Sequence, residues 1–554
     1  MRRPYDGNIG YNGDAWSSIR WEHRMAGRVA IDFGTSNTVV ASWDHIRQQG
    51  IPVQINELGH AVALNDELLL ATPSLIHYGS GERLYGNQVL ERNLAHSARS
   101  FQWMKRYLAA PNSDRRDIDG QQVLHANAAE DFLTRFINAA KQELSIAEDE
   151  EVAFSIPVES FEHYSNWLEQ IASRAGLKNI RFVDESTAVA LGYSARLFPD
   201  EACLVFDFGA GFLNVSIIRQ EAETDEAPQR CRVLSKAGSA LSGSVIDEWI
   251  FQDIIQHHGY NLDDPEIQAI SRLLLAECEN LKERLSLQES STITVVNPLD
   301  GTELTCAYSR TRLEQLLAER GAFALIEQIL RNTLAEAQEQ GTSEDKVKLV
   351  LMVGGSSLIP SVQHLVREIF GKERVRVERP FDAVARGAAA FIAGAALEDY
   401  LQHDYELRFR NVTSQQFENK SLISKGTRYP SNSAVATLKI KAINDGQEDF
   451  WMQICELSRS EAICAGDIEI CFDELGNARL NSISPEEREN RRIFWLNEAK
   501  PTFIRVETPV AKGDECFDLR FSIDANRHLL LSTQDLKSGR LLQENYPVIK
   551  FEQE

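Results

Sequence analysis

The feature that most constrains the fold of this chain is a short segment that occurs twice. Each copy is an apolar, strand-like run that ends in Asp-Phe-Gly and continues through a turn of small residues into a second β-rich run. The copies occupy residues 28–40 and 203–217. Such an internal repeat predicts two similar lobes with a cleft between them.

The pattern of apolar residues divides the chain into regions. Residues 1–27 have no clear period and are predicted to form a loosely ordered tail. In residues 28–397, apolar runs alternate with helical patterns, which is typical of an α/β fold. Residues 398–412 are polar and mixed, so we expect a linker there. Residues 413–554 contain short β-rich runs and turns such as Asn-Asp-Gly, which predict an antiparallel β domain. Its strongly charged segment, 484–494, predicts a helical or loop insertion.

The charge balance disfavours two classes of partner. The 554 residues include 58 Lys and Arg against 82 Asp and Glu, a formal net charge of −24. Nucleic acid and anionic membranes are bound by basic surfaces, so neither is expected as the main partner.

Neither an export signal nor a membrane anchor is expected. The most apolar stretch, 383–397, consists mainly of small residues and predicts a closely packed helix instead of a membrane span. The N-terminus lacks the apolar core of a secretory signal. The eight cysteines are scattered singly, without the Cys-x-x-Cys spacing of zinc or redox sites. We therefore expect a cytoplasmic protein with reduced thiols.

The turns of the two repeats predict a site for the phosphates of a nucleotide. Phosphates are met by backbone N–H groups at close range, and glycine permits this approach because it has no side chain. The turns would meet the phosphates from opposite sides of the cleft. Their small residues are Gly34, Thr35 and Ser36 in the first turn and Gly209 and Gly211 in the second.

Two carboxylates and a third glycine loop complete the predicted site. Asp32 and Asp207 each end a strand just before a turn, and such carboxylates can hold the water molecules that Mg²⁺ retains. A third buried strand ends in Gly354 and Gly355, and a helix is predicted to begin near Pro360. Paired glycines there would let the backbone lie against a base or ribose. The predicted ligand is a nucleotide with Mg²⁺.

These segments resemble those of the 70-kDa heat-shock chaperone family, and they occur in the family's order. The resemblance covers nearly all of residues 29–397 and extends less strongly into the C-terminal β region. Besides the three glycine loops, it is carried by 72–74 (Thr-Pro-Ser), 101–108 (Phe-Gln-Trp-Met-Lys-Arg-Tyr-Leu), 155–158 (Ser-Ile-Pro-Val), 183–193 (Val-Asp-Glu-Ser-Thr-Ala-Val-Ala-Leu-Gly-Tyr), 278–286 (Cys-Glu-Asn-Leu-Lys-Glu-Arg-Leu-Ser), 381–389 (Phe-Asp-Ala-Val-Ala-Arg-Gly-Ala-Ala) and 521–526 (Phe-Ser-Ile-Asp-Ala-Asn).

The resemblance implies an actin-like ATPase fold, a two-lobed duplication of the ribonuclease H type, followed by an antiparallel β-sandwich. It implies ATP or ADP with Mg²⁺ as ligands, with K⁺ as a further candidate ion. Its implied partners are unfolded or specific client polypeptides, together with J-domain and nucleotide-exchange co-chaperones. The helical lid that follows the sandwich in the family is expected to be absent.

The resemblance also assigns roles to residues. Lys105 matches the lysine that orients the attacking water, and Glu185 and Asp207 match the carboxylates that act with it. Asp32 and Asp207 match the metal-side aspartates. Three polar residues at helical spacings of three and four match contacts to ribose and adenine. The residues expected to contact the nucleotide are Gly34, Thr35, Ser36, Asn37, Gly209, Ala210, Gly211, Phe212, Gly354, Gly355, Ser356, Asp382 and, on the helix, Glu279, Lys282 and Ser286.

The chain departs from the family in the second phosphate turn and in the base pocket. The family's Gly-Gly-Gly-Thr-Phe-Asp is here Gly-Ala-Gly-Phe-Leu-Asn, so Phe212 replaces a threonine and Asn214 replaces an acid. Two arginines beside the adenine become Glu283 and Leu358. Because the loss of one positioned polar group costs about 100-fold in rate, we expect slow hydrolysis and weakened base affinity.

Several functions remain open from the sequence. The leading interpretation is a lidless, chaperone-like, slow ATPase that couples nucleotide state to client binding. The second is a regulatory or exchange-factor-like protein that binds nucleotide with little or no hydrolysis, which Phe212 and Asn214 favour. A sugar kinase of the actin fold and a filament-forming actin-like protein are less favoured, because neither needs the C-terminal β region.

Overall fold

The computed structural model describes residues 28–549, apart from certain internal positions. The predicted tail, 1–27, lies outside the described residues, as does 550–554. The internal positions left out are 65–66, 109–114, 194–196, 223–229, 263, 298–299, 378, 411–415, 459–467, 475, 498–501 and 507–508.

The first large sheet contains the first Asp-Phe-Gly segment. Its strands are β1 (Val29–Phe33), β2 (Asn37–Asp44), β3 (Gln49–Val53), β4 (His60–Leu64), β5 (Glu67–Pro73), β11 (Glu151–Ile156) and β12 (Asn179–Asp184). They lie in the order β12-β11-β1-β2-β5-β4, and β3 pairs with β2. The fully buried β1 is antiparallel to β2 and parallel to β11.

The second large sheet repeats this arrangement. Its strands are β13 (Ala202–Phe208), β14 (Leu213–Gln220), β15 (Arg230–Ser239), β18 (Val347–Val353), β19 (Val375–Arg376), β20 (Ala396–Tyr400) and β23 (Arg428–Tyr429). The order is β19-β18-β13-β14-β15-β20-β23. Like β1, β13 is antiparallel to the strand that follows its turn and parallel to its other neighbour. The repeat in the sequence is therefore also a repeat in strand pairing.

Helices cover the two sheets, and each sheet has its own apolar core. The helices are α1 (Asn87–Glu91), α2 (Met104–Tyr107), α3 (His125–Leu144), α4 (Glu162–Arg174), α5 (Glu185–Tyr193), α6 (Gly243–His257), α7 (Pro265–Leu287), α8 (Arg310–Glu319), α9 (Ala322–Glu339), α10 (Pro360–Phe370), α11 (Ala383–Ile392) and α12 (Pro485–Asn490). In the described residues, no helix is long and apolar enough to cross a membrane.

Helices α5 and α11 pack against each other where the two sheets meet. Their contact is close because α11 carries Gly387, where an added Cβ would lie 1.6 Å from the carbonyl oxygen of Ala188. A third apolar cluster, with residues from both sheets, surrounds this crossing. The prediction of a closely packed helix in 383–397 is confirmed for its first ten residues, which form α11.

The C-terminal part is built of antiparallel strands, as predicted. These are β21 (Asp404–Arg410), β22 (Phe417–Ile423), β24 (Ala436–Lys441), β25 (Asp449–Leu457), β26 (Ile468–Phe472), β27 (Ala478–Ser482), β28 (Ile493–Trp495), β29 (Thr502–Arg505), β30 (Glu515–Ile523), β31 (Leu529–Asp535) and β32 (Leu541–Pro547). A five-stranded sheet and a four-stranded sheet, β24-β30-β31-β32, share one apolar core. The charged segment 484–494, predicted to be a helical or loop insertion, contains α12 and the start of β28.

Smaller sheets lie around the first two. Their strands are β6 (Ile76–Tyr78), β7 (Arg83–Tyr85), β8 (Ser100–Phe101), β9 (Arg116–Ile118), β10 (Gln121–Val123), β16 (Ser290–Val296) and β17 (Glu303–Ser309).

The segment predicted as a linker, 398–412, is largely strand in its described part. It contains the end of β20, which pairs in parallel with β15, and all of β21. Its Asp399 accepts hydrogen bonds from Lys236, at 2.7 Å, and from the hydroxyl of Tyr429, at 2.7 Å. Some polar residues of this segment are therefore buried in ion pairs.

Candidate functional site

The two strand-end aspartates are buried. Asp32 in β1 and Asp207 in β13 are 8% and 7% exposed. The hydroxyl of Ser155, at the end of β11, donates to a carboxylate oxygen of Asp32 at 2.6 Å. Ser155 belongs to the Ser-Ile-Pro motif, but sequence reasoning assigned it no role in the site.

A buried ion pair lies beside these aspartates. Lys105, in the short helix α2, donates to Glu185, the first residue of α5, and both side chains are nearly inaccessible to solvent. Asn214, in the position of a family acid, donates an amide hydrogen to Glu185 at 3.5 Å. An amide in this position avoids a further buried negative charge, since an acid there would face the Glu185 carboxylate.

Burial shapes the protonation of this cluster. It raises the pKa of Asp32 to about 6, against the opposing charge of Lys105. Burial also raises the pKa of Asp207 well above its usual range, and the charges of Glu185 and Asp32 add to this effect. Burial alone would lower the pKa of Lys105, but chiefly the Glu185 carboxylate outweighs it, so the net pKa is raised and the ammonium stays charged.

Tyr164, in α4, is a buried neighbour that sequence reasoning missed. Burial raises the pKa of its phenol, and the charges of Lys105, Glu185 and Asp32 act on it. Within the described residues, its hydroxyl has no hydrogen-bond partner. The side chain therefore offers a polar group to this cluster.

The two glycine turns meet each other directly. A Cβ added to Gly211 in the second turn would lie 2.5 Å from the hydroxyl oxygen of Thr35 in the first. At Gly34, an added Cβ would lie 2.2 Å from the carbonyl oxygen of Asn37. Backbone therefore excludes a side chain at Gly34, and the Thr35 hydroxyl would have to move to admit one at Gly211. Next to Gly211, Phe212 presents a half-buried ring where the family has a hydroxyl.

The third loop packs against the second turn. Gly354 has a φ of 80°, and a Cβ there would lie 2.7 Å from the backbone nitrogen of Gly209. The Ser356 hydroxyl donates to the carbonyl of Gly209 at 3.2 Å. The edge of the Phe381 ring lies near Gly355, 3.2 Å from where a Cβ would be. All three loops predicted from the sequence thus come together.

Helix α7 places Lys282 close to the second glycine turn. Its ammonium donates to the carbonyl of Gly243 at 2.9 Å and pairs with Asp247 at 2.7 Å. A Cβ on Gly243 would lie 3.3 Å from the Cα of Ala210, in the second turn. Lys282 therefore lies behind the second turn, with Gly243 between them. Its two protein partners were not foreseen, because they lie about 40 residues away in the sequence.

The remaining residues of the predicted base side lie on or near α7 and α11. Burial, followed by the charge of Asp247, raises the pKa of Glu279 to about 7. The Ser286 hydroxyl donates to the backbone carbonyl of Lys282 at 3.1 Å. Buried Asp382, immediately before α11, accepts a hydrogen bond from Arg386 at 2.8 Å.

The residues present are suited to a phosphate ligand and a hydrated cation. The second turn has room at Gly209, where an added Cβ would meet nothing closer than 3.8 Å. The pKa values of two buried carboxylates, Asp32 and Asp207, stay raised although the charge of Lys105 lowers them. In the described residues, no group of three or more His, Cys, Asp and Glu side chains is arranged to hold a metal by protein ligands alone. A pair of carboxylates suits Mg²⁺, which keeps several waters and binds substrate phosphates.

Comparison with known proteins identifies the family. The sequence profile of the family described as Hsp70 protein matches residues 167–494. The chain belongs to the Hsp70 family. It is 27% identical over 392 residues to the chaperone protein DnaK of Deinococcus proteolyticus, covering 66% of this chain and 59% of that protein.

Two further relatives extend this comparison. A chaperone protein HscA homolog of Shewanella denitrificans is 27% identical over 395 residues, or 67% of this chain and 59% of that protein. The chaperone protein DnaK of Thermus thermophilus is 24% identical over 542 residues, or 93% of this chain and 80% of that protein. The first two matches thus span about three fifths of the relatives' length.

Proposed function

We propose that this chain is a chaperone that binds ATP, hydrolyses it slowly, and couples its nucleotide state to the binding of client polypeptide. The observation that carries the proposal is the buried Lys105–Glu185 pair beside Asp32 and Asp207, where the two glycine turns meet. A buried charge pair is a poor source of stability compared with apolar packing. Its presence between two phosphate-type turns is therefore better explained by chemistry.

The proposal includes an arrangement of domains. We assign residues 28–397 to an actin-like nucleotide-binding domain whose first lobe holds the sheet of β1 and whose second lobe holds the sheet of β13. Residues 398–412 connect it to a β-sandwich, 413–554. Separate apolar cores for the two sheets, and the α5–α11 crossing between them, support this assignment.

The chain's own side chains would perform distinct tasks at the phosphates. Lys105, charged and fixed by Glu185, would hold the attacking water in line. Asp32 and Asp207 would hold the metal's water shell, and backbone N–H groups of the turns would contact the phosphoryl oxygens. Bound Mg²⁺ would neutralise charge that develops on the phosphates. Because Phe212 offers no hydroxyl, one contact is missing and the hydrolysis should be slow.

The β region would supply the client site. Relatives named as chaperones, and a β-sandwich-like pair of sheets with one core, support an extended polypeptide as its ligand. J-domain and nucleotide-exchange co-chaperones are the partners that would drive such a cycle, and the cytoplasm is its proposed location. Residues of β20 that pair with the second lobe would transmit the nucleotide state.

Single-turnover hydrolysis of radiolabelled MgATP tests the proposal. The purified full chain is pre-loaded with MgATP and compared with Lys105→Ala and with the control Lys178→Ala. Lys178 is a surface lysine whose side chain is 67% exposed. We expect slow release of phosphate by the parent and by the control, and a loss of about 100-fold or more in Lys105→Ala.

The outcomes separate the two leading functions. Intact ATP retained by the parent chain would contradict the ATPase proposal and favour a nucleotide-binding regulatory protein. Equal hydrolysis by parent and Lys105→Ala would remove Lys105 from the mechanism. Failure of the parent to retain any nucleotide would reject the site itself.

A further inference from the structure

A hairpin from the C-terminal β region lies on the nucleotide-binding domain. It consists of β26 and β27, which pair antiparallel with Phe472 opposite Ala478. Both of these residues are buried, at 5% and 0% exposure. They belong to the apolar cluster that forms the core of the second lobe, together with Trp103 and Tyr107 from the first lobe.

On the side of the first lobe, the Phe472 ring lies in a pocket of aromatic side chains. It stacks on Trp103 with centroids 6.1 Å apart and an angle of 19° between the planes. It meets Tyr107 edge-on at 6.1 Å and contacts His125 at 6.1 Å. The Arg116 guanidinium lies 5.2 Å from the ring centroid. These contacts come from three different elements of the first lobe.

Trp103 connects this aromatic pocket to the predicted catalytic lysine. Trp103 has a φ of 56°, in the left-handed region that large side chains rarely adopt, and it directly precedes α2, which carries Lys105. Such a conformation persists only where the surroundings impose it. The ring of Phe472 stacks on Trp103 in this conformation.

On the second-lobe side, the hairpin is bonded to α7. The backbone N–H of Ala478 donates to the hydroxyl of Ser271 at 2.9 Å. The hairpin turn also lies between the lobes, since a Cβ on Gly476 would lie 3.1 Å from the Arg272 guanidinium and 3.5 Å from the Cα of Ala98. Helix α7 is the helix that carries the predicted base-side residues, about two turns further along.

We propose that this hairpin is an intramolecular clamp that holds the two lobes together and slows nucleotide release. It contacts one element of each lobe that carries nucleotide-site residues. For the lobes to separate, Phe472 must leave its aromatic pocket or the hydrogen bond between Ala478 and Ser271 must break. An ion pair between Arg106 of α2 and Glu248 of α6, 2.5 Å apart, also joins the two lobes and would act together with the hairpin. The inference rests on the proposed nucleotide function.

The clamp also gives the β region direct control of the cleft. The hairpin belongs to the same chain segment as β25 and β28, which form part of the C-terminal sheet. Movement of that sheet away from the nucleotide-binding domain would withdraw the hairpin from between the lobes. Nucleotide exchange would then follow the docking state of the β region.

The release rate of a fluorescent ADP analogue tests this proposal. The full chain is compared with Phe472→Ala, Ser271→Ala and the control Phe417→Ala. Phe417 is an exposed phenylalanine of the β region, at 49% exposure. We expect release to be about tenfold faster in Phe472→Ala, which loses three ring contacts, and about threefold faster in Ser271→Ala, which loses one hydrogen bond. Phe417→Ala should match the parent.

A readout without nucleotide separates this proposal from the proposed function. Amide hydrogen exchange is followed in residues 100–108 and 265–272 of the nucleotide-free proteins. Faster exchange in both segments of Phe472→Ala or Ser271→Ala, but not of Phe417→Ala, would support the clamp even if the parent bound no ADP. Unchanged release together with unchanged exchange in Ser271→Ala, the variant that keeps the apolar packing, would overturn it. Faster exchange together with unchanged ADP release would also overturn it, because the hairpin would then stabilise the segments that it contacts without holding the lobes together.

Discussion

The two Asp-Phe-Gly turns have the same backbone plan but different side-chain chemistry. Each follows a buried aspartate at the end of a central strand and returns antiparallel to it. In the first turn, Gly34 is enclosed by its own turn, and hydroxyl groups of Thr35 and Ser36 follow. In the second, an added Cβ on Gly209 would meet nothing closer than 3.8 Å, and Phe212 follows.

This difference shows what a duplication preserves. Strand pairing and the position of the aspartate are kept because the sheet requires them. The side chains of the turn are free to diverge, since phosphate can be held by backbone N–H groups alone. Catalysis, in contrast, depends on individual polar groups, so the two halves of the cleft need not contribute equally.

The largest expected effect contrasts the equivalent glycines. Gly34→Ala should lower the free energy of unfolding of the protein by about 3 kcal/mol, because the new methyl group collides with backbone. Gly209→Ala should change it by less than about 1 kcal/mol, because there is space for the methyl group. Urea denaturation of both variants measures this. Similar losses in the two would contradict the steric difference between the turns.

The next effect concerns the missing hydroxyl. Phe212→Thr should raise the single-turnover rate of ATP hydrolysis by roughly tenfold to 100-fold, because it restores a polar group to the second turn. Phe212→Val is the matched control, since valine has the shape of threonine without the hydroxyl. An equal rise in both variants would mean that removal of the ring, and not the hydroxyl, is responsible.

The smallest effect is a pH dependence that the first turn's aspartate should cause. Because the pKa of Asp32 is raised to about 6, most of this carboxyl is protonated at pH 5, and a cation must displace the proton. The Mg²⁺-dependent part of nucleotide affinity should therefore fall by about tenfold between pH 7 and pH 5. Titration calorimetry at several pH values measures this, and Asp32→Asn should reduce the response to the part that Asp207 causes.

The same pKa shift has a consequence for stability without metal. A folded-state pKa above the unfolded value means that the folded protein holds the proton more tightly. Asp32 therefore contributes stability below about pH 4, and this contribution is lost as the pH rises through about 6. A metal-free protein that became steadily more stable between pH 4 and pH 6 would argue against a dominant role for this carboxyl.

Local patterns predicted well the strands and turns that surround the candidate site. The aspartates, the glycine turns and the strand before Gly354 are contiguous motifs, so their backbone course follows from the sequence. The segment 398–412 was less predictable. Its polar residues indicate a linker, yet Asp399 is buried in an ion pair with Lys236, whose partner cannot be recognised 163 residues away in the sequence.

By itself, the sequence determined that a strand-turn-strand segment is duplicated, which residues form the glycine turns, and that the C-terminal part is antiparallel β structure. These properties depend on short-range periodicity, on glycine and on strand-end carboxylates. The tertiary structure decided that Asn214 donates to Glu185, that Gly211 lies against Thr35, and that a hairpin places Phe472 between the lobes. Such contacts depend on how distant segments pack, because burial and pairing energies are set by neighbours that local sequence does not specify.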